Sequence, residues 1–333
     1  MTYSDKLTQA KERLLACERP LFLFDDDPDG LAAFLLLYKM VRSGKGMALK
    51  GATLDERFAW RVNDYQPDLV VLLDKADVDE SFFANINVDC VWLDHHEVSQ
   101  PPAGVLYVNP RADKKERNEP TSLIAYRITE QDAWIAAVGI ISDWQLPPKA
   151  IWEQVDEQLL PRNLTRADDA LYHCPLGTLV GVFSFNLKGR TTDVLTSMKI
   201  LARIKDPREL LEKQHAQARL VMKKYEAHLQ DYEAIKREVK VRNDDPVLLF
   251  TYDEARNSYT RELSNELLHQ HPDKLIIIAR QSNGSYKCSL RSSTLPVEAM
   301  LQKTLLITGG TGGGHEHACG AVIPVDVFDD FVD

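Results

Sequence analysis

Short apolar runs alternate with longer amphipathic stretches through the first half of the chain. Leu21–Phe24, Leu69–Leu73, Cys90–Leu93 and Val105–Val108 are unbroken apolar runs of four or five residues. Runs this short, without polar alternation, fit strands buried on both faces, as in a parallel sheet covered by helices. Ser4–Cys17 has amphipathic spacing, Leu31–Val41 predicts the first crossover helix, and Thr121–Ile128 predicts a later one. A further apolar stretch, Ala136–Ser142, is read with the strands because it too ends on an aspartate. The expectation is an α/β fold whose N-terminal domain, residues 1–150, is built on a parallel sheet.

The pattern turns largely helical from Ala150 to Ile204. Lys213–Val239 is strongly charged, with Leu220, Tyr225, Leu229, Tyr232 and Ile235 recurring at near-helical spacing. That pattern predicts a long exposed connecting helix, so residues 151–243 are taken as a helical segment. After Asn243-Asp244-Asp245-Pro246 the alternation restarts. Val247–Tyr252 predicts a strand, Tyr259–His269 a helix, Lys274–Arg280 and Ser285–Ser292 strands flanking the Asn283-Gly284 turn, and Ala321–Val325 a last strand. Residues 244–333 are therefore expected to form a smaller α/β domain. A chain of 333 residues is also longer than one hydrophobic core usually serves.

Composition narrows the class. Apolar residues are 44% and charged residues 27%, which fits a globular chain, and no apolar run approaches the roughly 20 residues that span a bilayer. The first residues lack the apolar stretch of a signal peptide. Cys17, Cys90, Cys174, Cys288 and Cys319 are scattered with no C-x-x-C pair. Reduced thiols and a cytoplasmic location are the expectation, rather than a disulfide framework or structural zinc. The formal net charge of −10 argues against a long duplex nucleic acid as the main partner, because such partners are gripped by basic stripes.

The acidic residues fall where the strands end. Leu21–Phe24 runs into Asp25-x-Asp27-x-Asp29-Gly30, Leu69–Leu73 into Asp74, Cys90–Leu93 into Asp94-His95-His96, and Ala136–Ser142 into Asp143. Ligands of open α/β sheets bind beyond the carboxyl ends of the strands, so these groups should converge on one crevice. Clustered carboxylates repel unless some stay protonated or a cation joins them. Carboxylate with imidazole suits Mn²⁺ or Mg²⁺, and two such ions about 3.5–4 Å apart can activate a water and clamp a phosphoryl group. An EF-hand reading of Asp25–Gly30 fails, because the twelfth position is Leu36 rather than glutamate. Taken singly, Asp74 and Asp143 would read as helix caps. Their joint occurrence in order outweighs that reading.

Together, Asp25-x-Asp27-x-Asp29-Gly30, Asp74, Asp94-His95-His96 and Gly139-Ile140-Ile141-Ser142-Asp143 resemble the four motifs of DHH phosphoesterases. That family includes RecJ-type exonucleases, nanoRNases, dinucleotide phosphodiesterases and family II pyrophosphatases. The first motif resembles the RecJ-like form, with aspartate leading. The resemblance implies that Asp25, Asp27 and Asp74 hold one Mn²⁺, and that Asp29, Asp74, His95 and Asp143 hold a second. It further implies that Asp94 orients His95 and that His96 reaches the scissile phosphate.

The run Gly309–Gly314 is not a P-loop, since no Gly-Lys-Ser/Thr follows. Consecutive glycines let backbone N–H groups approach an anion, with His315 as an added donor. Gly312-Gly313-Gly314-His315-x-x-Ala318-x-Gly320 matches the G-G-G-H-x-x-A-x-G signature of the DHH-associated C-terminal domain, and Ser289-Leu290-Arg291-Ser292 resembles its S-L-R-S strand. The resemblance implies that Arg291, Gly312, Gly313, Gly314 and His315 bind substrate. The expected substrates are linear dinucleotides or oligonucleotides a few residues long, cut to mononucleotides. A RecJ-like single-strand exonuclease and a non-catalytic nucleic-acid-binding scaffold of the same fold are the alternatives. No membrane association is expected, and a homodimer is compatible with the sequence.

Overall fold

Five parallel strands make the N-terminal sheet of the computed structural model, which describes residues 1–51 and 53–332. They are β1 (Pro20–Asp25), β2 (Lys45–Leu49), β3 (Leu69–Leu73), β4 (Cys90–Leu93) and β5 (Val105–Val108), in the order β2-β1-β3-β4-β5. The chain divides into two compact units, Met1–Tyr225 and Glu226–Asp333, and this sheet is the centre of the first. Strand alternation sends Leu21 and Leu23 to one face, where they join Val70, Leu72, Phe82, Trp92 and Tyr107 in a buried cluster. Phe22 and Phe24 take the opposite face and pack on Phe34, whose ring stacks on Phe24 at 5.0 Å between centroids.

Register is what positions the site. Phe24 pairs with Leu73, Leu73 with Leu93, and Leu93 with Val108. The next residue of each strand is therefore Asp25, Asp74, Asp94 and Asn109, which form one polar row at the carboxyl edge of the sheet. Backbone pairing continues one step into that row, from the Asp74 N–H to the Leu93 carbonyl at 3.0 Å and from the Asp94 N–H to the Val108 carbonyl at 3.1 Å.

Two features of the first unit differ from the sequence reading. Ala136–Ser142 belongs to a helix, Ala133–Ser142, so Asp143 is a helix C-cap and not a strand end. That helix is buried from Ala133 to Ile141, and a segment buried on every side has no polar face to reveal its period. Strand β2 had no apolar run to mark it, because an edge strand opening on Lys45-Gly46 is only half covered.

The Ala216–Lys236 helix, 21 residues long, carries the chain from the first unit to the second. In the second unit β6 (Val247–Tyr252), β7 (Leu275–Ser282), β8 (Ser285–Arg291), β9 (Thr311–His315) and β10 (Ala318–Pro324) form a sheet of order β6-β7-β8-β10-β9. Only β6 and β7 pair in parallel; the other neighbours are antiparallel. One face buries Ile277, Cys288, Leu290, Cys319 and Ile323 with Val297 and Leu301 of the Val297–Thr308 helix. The Thr260–Gln270 helix contacts β7 and β8. The glycine run is thus not a free loop: Gly312–Gly314 lie within β9 at the sheet edge.

No helix among the described residues is long and apolar enough to cross a membrane.

Candidate metal centre and substrate-binding sheet

Asp27 ends the extended segment after β1 and caps the Pro28–Val41 helix, accepting from the Gly30 N–H at 2.9 Å. A side chain on Gly30 would place its Cβ 2.7 Å from the Asp25 carbonyl oxygen, so the turn requires glycine for close approach. Asp25 lies 3.9 Å from the Lys75 ammonium. Asp29 is buried two residues beyond Asp27, in the first turn of the Pro28–Val41 helix, and accepts from the backbone N–H of Thr121 at 2.7 Å, that of Ser122 at 3.1 Å, and the Ser122 hydroxyl. These donors belong to the first turn of the Thr121–Thr129 helix, which has no side-chain cap of its own. Asp29 is that cap, supplied from another helix. Burial first, then the charges of Asp74 and Asp143, raise its carboxyl pKa to about 7.

Asp74 leaves β3 with φ of +56°, a left-handed conformation uncommon outside glycine and found at sites where the fold constrains the chain. Its Oδ1 accepts from the Thr121 hydroxyl at 3.1 Å and stands 3.4 Å from Nε2 of His95. Burial pushes the Asp74 carboxyl up, but the hydrogen bond and charge of His95 outweigh it, holding Asp74 well below the usual carboxylate range. The reciprocal effect lifts His95: burial lowers its pKa, and Asp74 with Asp143 raises it further. Nδ1 of His95 meets the Asn118 Oδ1 at 3.0 Å and lies 3.7 Å from Asp143.

The expected link from Asp94 to His95 is replaced by a link to the next residue. Asp94, fully buried, accepts from His96 Nδ1 at 2.7 Å and from the His96 backbone N–H at 3.2 Å. The other contacts on its carboxylate are Tyr107 at 3.3 Å and Asn109 at 3.4 Å. A short Asp side chain closes a local ring with the residue two positions on, which favours His96 over His95. Burial depresses the His96 pKa, and Asp94 and Asp74 raise it more, for a net increase. Ligand atoms of Asp74, His95 and His96 lie within 4.8 Å of one another, a spacing one metal ion can fill.

In the second unit, Ala318 pairs with Arg291 on one side and His315 on the other, so the three lie in one row across β8, β10 and β9. Arg291 is fixed by Asn265 Oδ1 at 2.8 Å and by the Leu290 and Cys319 carbonyls at 2.8 and 2.9 Å. A Cβ at Gly312 would sit 2.7 Å from the Gly320 carbonyl oxygen, and one at Gly314 would collide with that of Ala318. At Gly313 the nearest atom is the Gln302 amide nitrogen at 4.0 Å. Gly312 and Gly314 therefore serve the close pairing of β9 with β10, while Gly313 lies open. Extended backbone sends successive N–H groups to opposite edges, so the anion contact available here is alternate edge amides and not the consecutive cradle expected.

The DHHA1 domain family matches residues 244–333. RecJ from Thermus thermophilus, solved in complex with Mn²⁺, is similar over 99% of this chain and 53% of its own, with a TM-score of 0.70 and 16% identity. This chain spans about half the length of that protein. An exonuclease RecJ bound to manganese is similar over 100% of this chain and 92% of its own, with a TM-score of 0.65 and 16% identity. A pGpG-specific phosphodiesterase from Vibrio cholerae is similar over 94% of this chain and 96% of its own, with a TM-score of 0.50 and 14% identity. Residues 244–333 match the DHHA1 domain family, and the chain as a whole shares the fold of these RecJ structures. A comparison with curated proteins gives no match.

Within the first unit, sequence reasoning missed Asn109, Asn118, Thr121 and Ser122, each bonded to one of the acidic or histidine groups. Asn109 carried a usable signal, since Val105–Val108 also ends on a polar residue. Asn118 did not, because it sits in a loop with no periodic pattern. In the DHHA1 domain, Asn265 was missed: it lies on a helix and meets Arg291 only through the tertiary fold.

Proposed function

We propose that the chain is a divalent-metal-dependent phosphoesterase cleaving linear dinucleotides and oligonucleotides a few residues long, such as pGpG, pApA or nanoRNA. The observation that carries this reading is the pair Asp74 Oδ1 and His95 Nε2, 3.4 Å apart at the carboxyl edge of the sheet, with His96 beside them. Two donors each ~2.1 Å from one ion stand roughly 3.0–3.4 Å apart at angles between right and tetrahedral, so the residues fit a metal. Asp74, His95 and the nearby Asp143 would hold one ion, and Asp25, Asp27 and Asp74 another. Asp29 accepts three hydrogen bonds here, and a carboxylate offers about four acceptor positions, which leaves one for an ion. Bound Mn²⁺ or Mg²⁺ would supply Lewis-acid polarisation of the phosphoryl group and a more acidic water.

The chain's own residues do the rest. Asp94 accepts from Nδ1 of His96 and favours the protonated ring, whose Nε2–H would donate to a phosphoryl oxygen as charge develops there. Arg291 and His315 of the DHHA1 domain are assigned the terminal phosphate of the substrate. Single-strand exonuclease action on longer chains is the second reading, favoured by the higher TM-score to RecJ, 0.70 against 0.50 for the pGpG phosphodiesterase.

One substrate panel separates the two. A 5′-phosphorylated dinucleotide, the same dinucleotide without that phosphate, and a single strand of about 20 nucleotides are incubated with wild type and Arg291→Ala at two salt concentrations. The dinucleotide reading expects wild type to cut the phosphorylated dinucleotide fastest. Charge-assisted contacts contribute about 1.5–3 kcal/mol, so Arg291→Ala should lower its kcat/KM roughly 10- to 150-fold and spare the unphosphorylated one. Faster cleavage of the long strand selects the exonuclease; equal losses on both dinucleotides remove Arg291 from phosphate recognition.

A further inference from the structure

The two adjacent histidines at the sheet edge are held by different partners through the same ring atom. Asp94 takes Nδ1 of His96 at 2.7 Å, and Asn118 takes Nδ1 of His95 at 3.0 Å. The Asn118 contact is made by an amide oxygen, which only accepts. Nδ1 of His95 must then carry the hydrogen, and in the neutral ring Nε2 is left with its lone pair. That lone pair stands 3.4 Å from the Asp74 carboxylate oxygen. Two electron-rich atoms so placed oppose each other unless a proton or a metal ion lies between them. The Asn118 contact therefore leaves Nε2 as the nitrogen that faces Asp74: with a hydrogen it donates to the carboxylate, and in the neutral ring its lone pair can share an ion with it.

The placement of Asn118 favours this role over a packing one. It lies on an exposed loop, while His95 is only 4% exposed and the next polar segment of the chain, Thr121 and Ser122, grips Asp74 and Asp29. The segment 118–122, which runs from the loop into the first turn of the Thr121–Thr129 helix, thus delivers a partner to each of the three buried groups. The Asp94-His95-His96 motif contains no group that can do this for His95, because Asp94 is spent on its neighbour.

We propose that Asn118 is a positioning residue that fixes the Nδ1–H tautomer of His95 and so sets the affinity of the Asp74–His95 pair for a divalent ion. The inference rests on the metal-centre reading above and adds to it a residue outside the motifs. Outer partners of ligating histidines typically change metal affinity about 10- to 100-fold when removed.

The test is Mn²⁺ binding to the full chain, titrated calorimetrically and by the electron paramagnetic resonance signal of free Mn²⁺, with the unfolding temperature in EDTA as the fold control. Asn118→Leu keeps the shape and removes the acceptor; Asn118→Asp keeps an acceptor at the same reach. The expected result is Mn²⁺ affinity about 10- to 100-fold weaker in Asn118→Leu, near wild type in Asn118→Asp, with all three unfolding alike in EDTA. Equal affinity in wild type and Asn118→Leu would overturn the proposal, as would equal losses in the two variants. If wild type itself binds no divalent ion, the metal-centre reading fails instead, and the two failures are told apart by that single titration.

Discussion

Gly139 shows how a residue with no side chain can matter to the chemistry of another. An added Cβ would lie 2.9 Å from that of Ala32 and closer still to the Ser122 hydroxyl. Ser122 is one of the donors holding Asp29, so crowding at 139 is transmitted to a buried carboxylate. Overpacking of this kind costs about 1–3 kcal/mol. Gly139→Ala should lower the urea midpoint of the first unit by a corresponding amount and reduce hydrolysis; an unchanged midpoint would show that the helices move apart freely. At this scale Asp25, Asp74 and Asp94 were legible because each follows directly on a buried strand. The assignment of Asp94 to His95 was not, since two histidines in sequence offer the same pattern and only the closed ring to His96 decides between them.

At the scale of elements, the approach to the Thr121–Thr129 helix is fixed by a carboxylate between two arginines. Glu119 accepts from Arg117 Nε at 2.8 Å, Arg127 Nε at 2.8 Å and the Tyr3 hydroxyl at 3.0 Å, tying the N-terminal helix to the loop that carries Asn118 and Thr121. The Arg117 guanidinium also stacks over the Tyr3 ring at 4.2 Å. Burial pushes the Glu119 carboxyl up, and the two guanidiniums pull it down further, so it ends below its ordinary value. A depressed carboxyl stabilises the fold above its unfolded pKa of about 4.3 and loses that contribution as pH falls through the lower folded value. Both arginines are partly exposed, which screens the pair. Glu119→Gln should therefore destabilise by about 1–2 kcal/mol at pH 7, with the gap from wild type closing below pH ~4. Chemical denaturation at the two pH values measures this, and a gap that persists in acid contradicts it. The strands β1, β3, β4 and β5 were readable from their apolar runs. The Ala133–Ser142 helix was misread as a strand for the same physical reason: complete burial erases the polar face that distinguishes the two. The glycine run was not read as strand, because β9 owes its place to pairing with β10 and not to its own residues.

The whole molecule carries a formal net charge of −10, and its sheet edge gathers Asp25, Asp74 and Asp94 in one row with Asp27, Asp29 and Asp143 nearby. A nucleotide phosphate brought to that edge meets like charge, which a bound divalent cation would offset, so the proposed activity rests on one. Asp74 is the residue common to both proposed ions, and it has contacts to His95 and Thr121 that make its removal specific. The most direct measurement is hydrolysis of a 5′-phosphorylated dinucleotide by wild type and Asp74→Ala, each stripped with EDTA and then given Mn²⁺. The account predicts no cleavage after chelation, recovery of wild type with Mn²⁺, and a kcat for Asp74→Ala lower by about 10³ or more, near 4 kcal/mol of barrier. Undiminished cleavage in excess EDTA, or an Asp74→Ala protein retaining more than about a tenth of the wild-type rate, would contradict it.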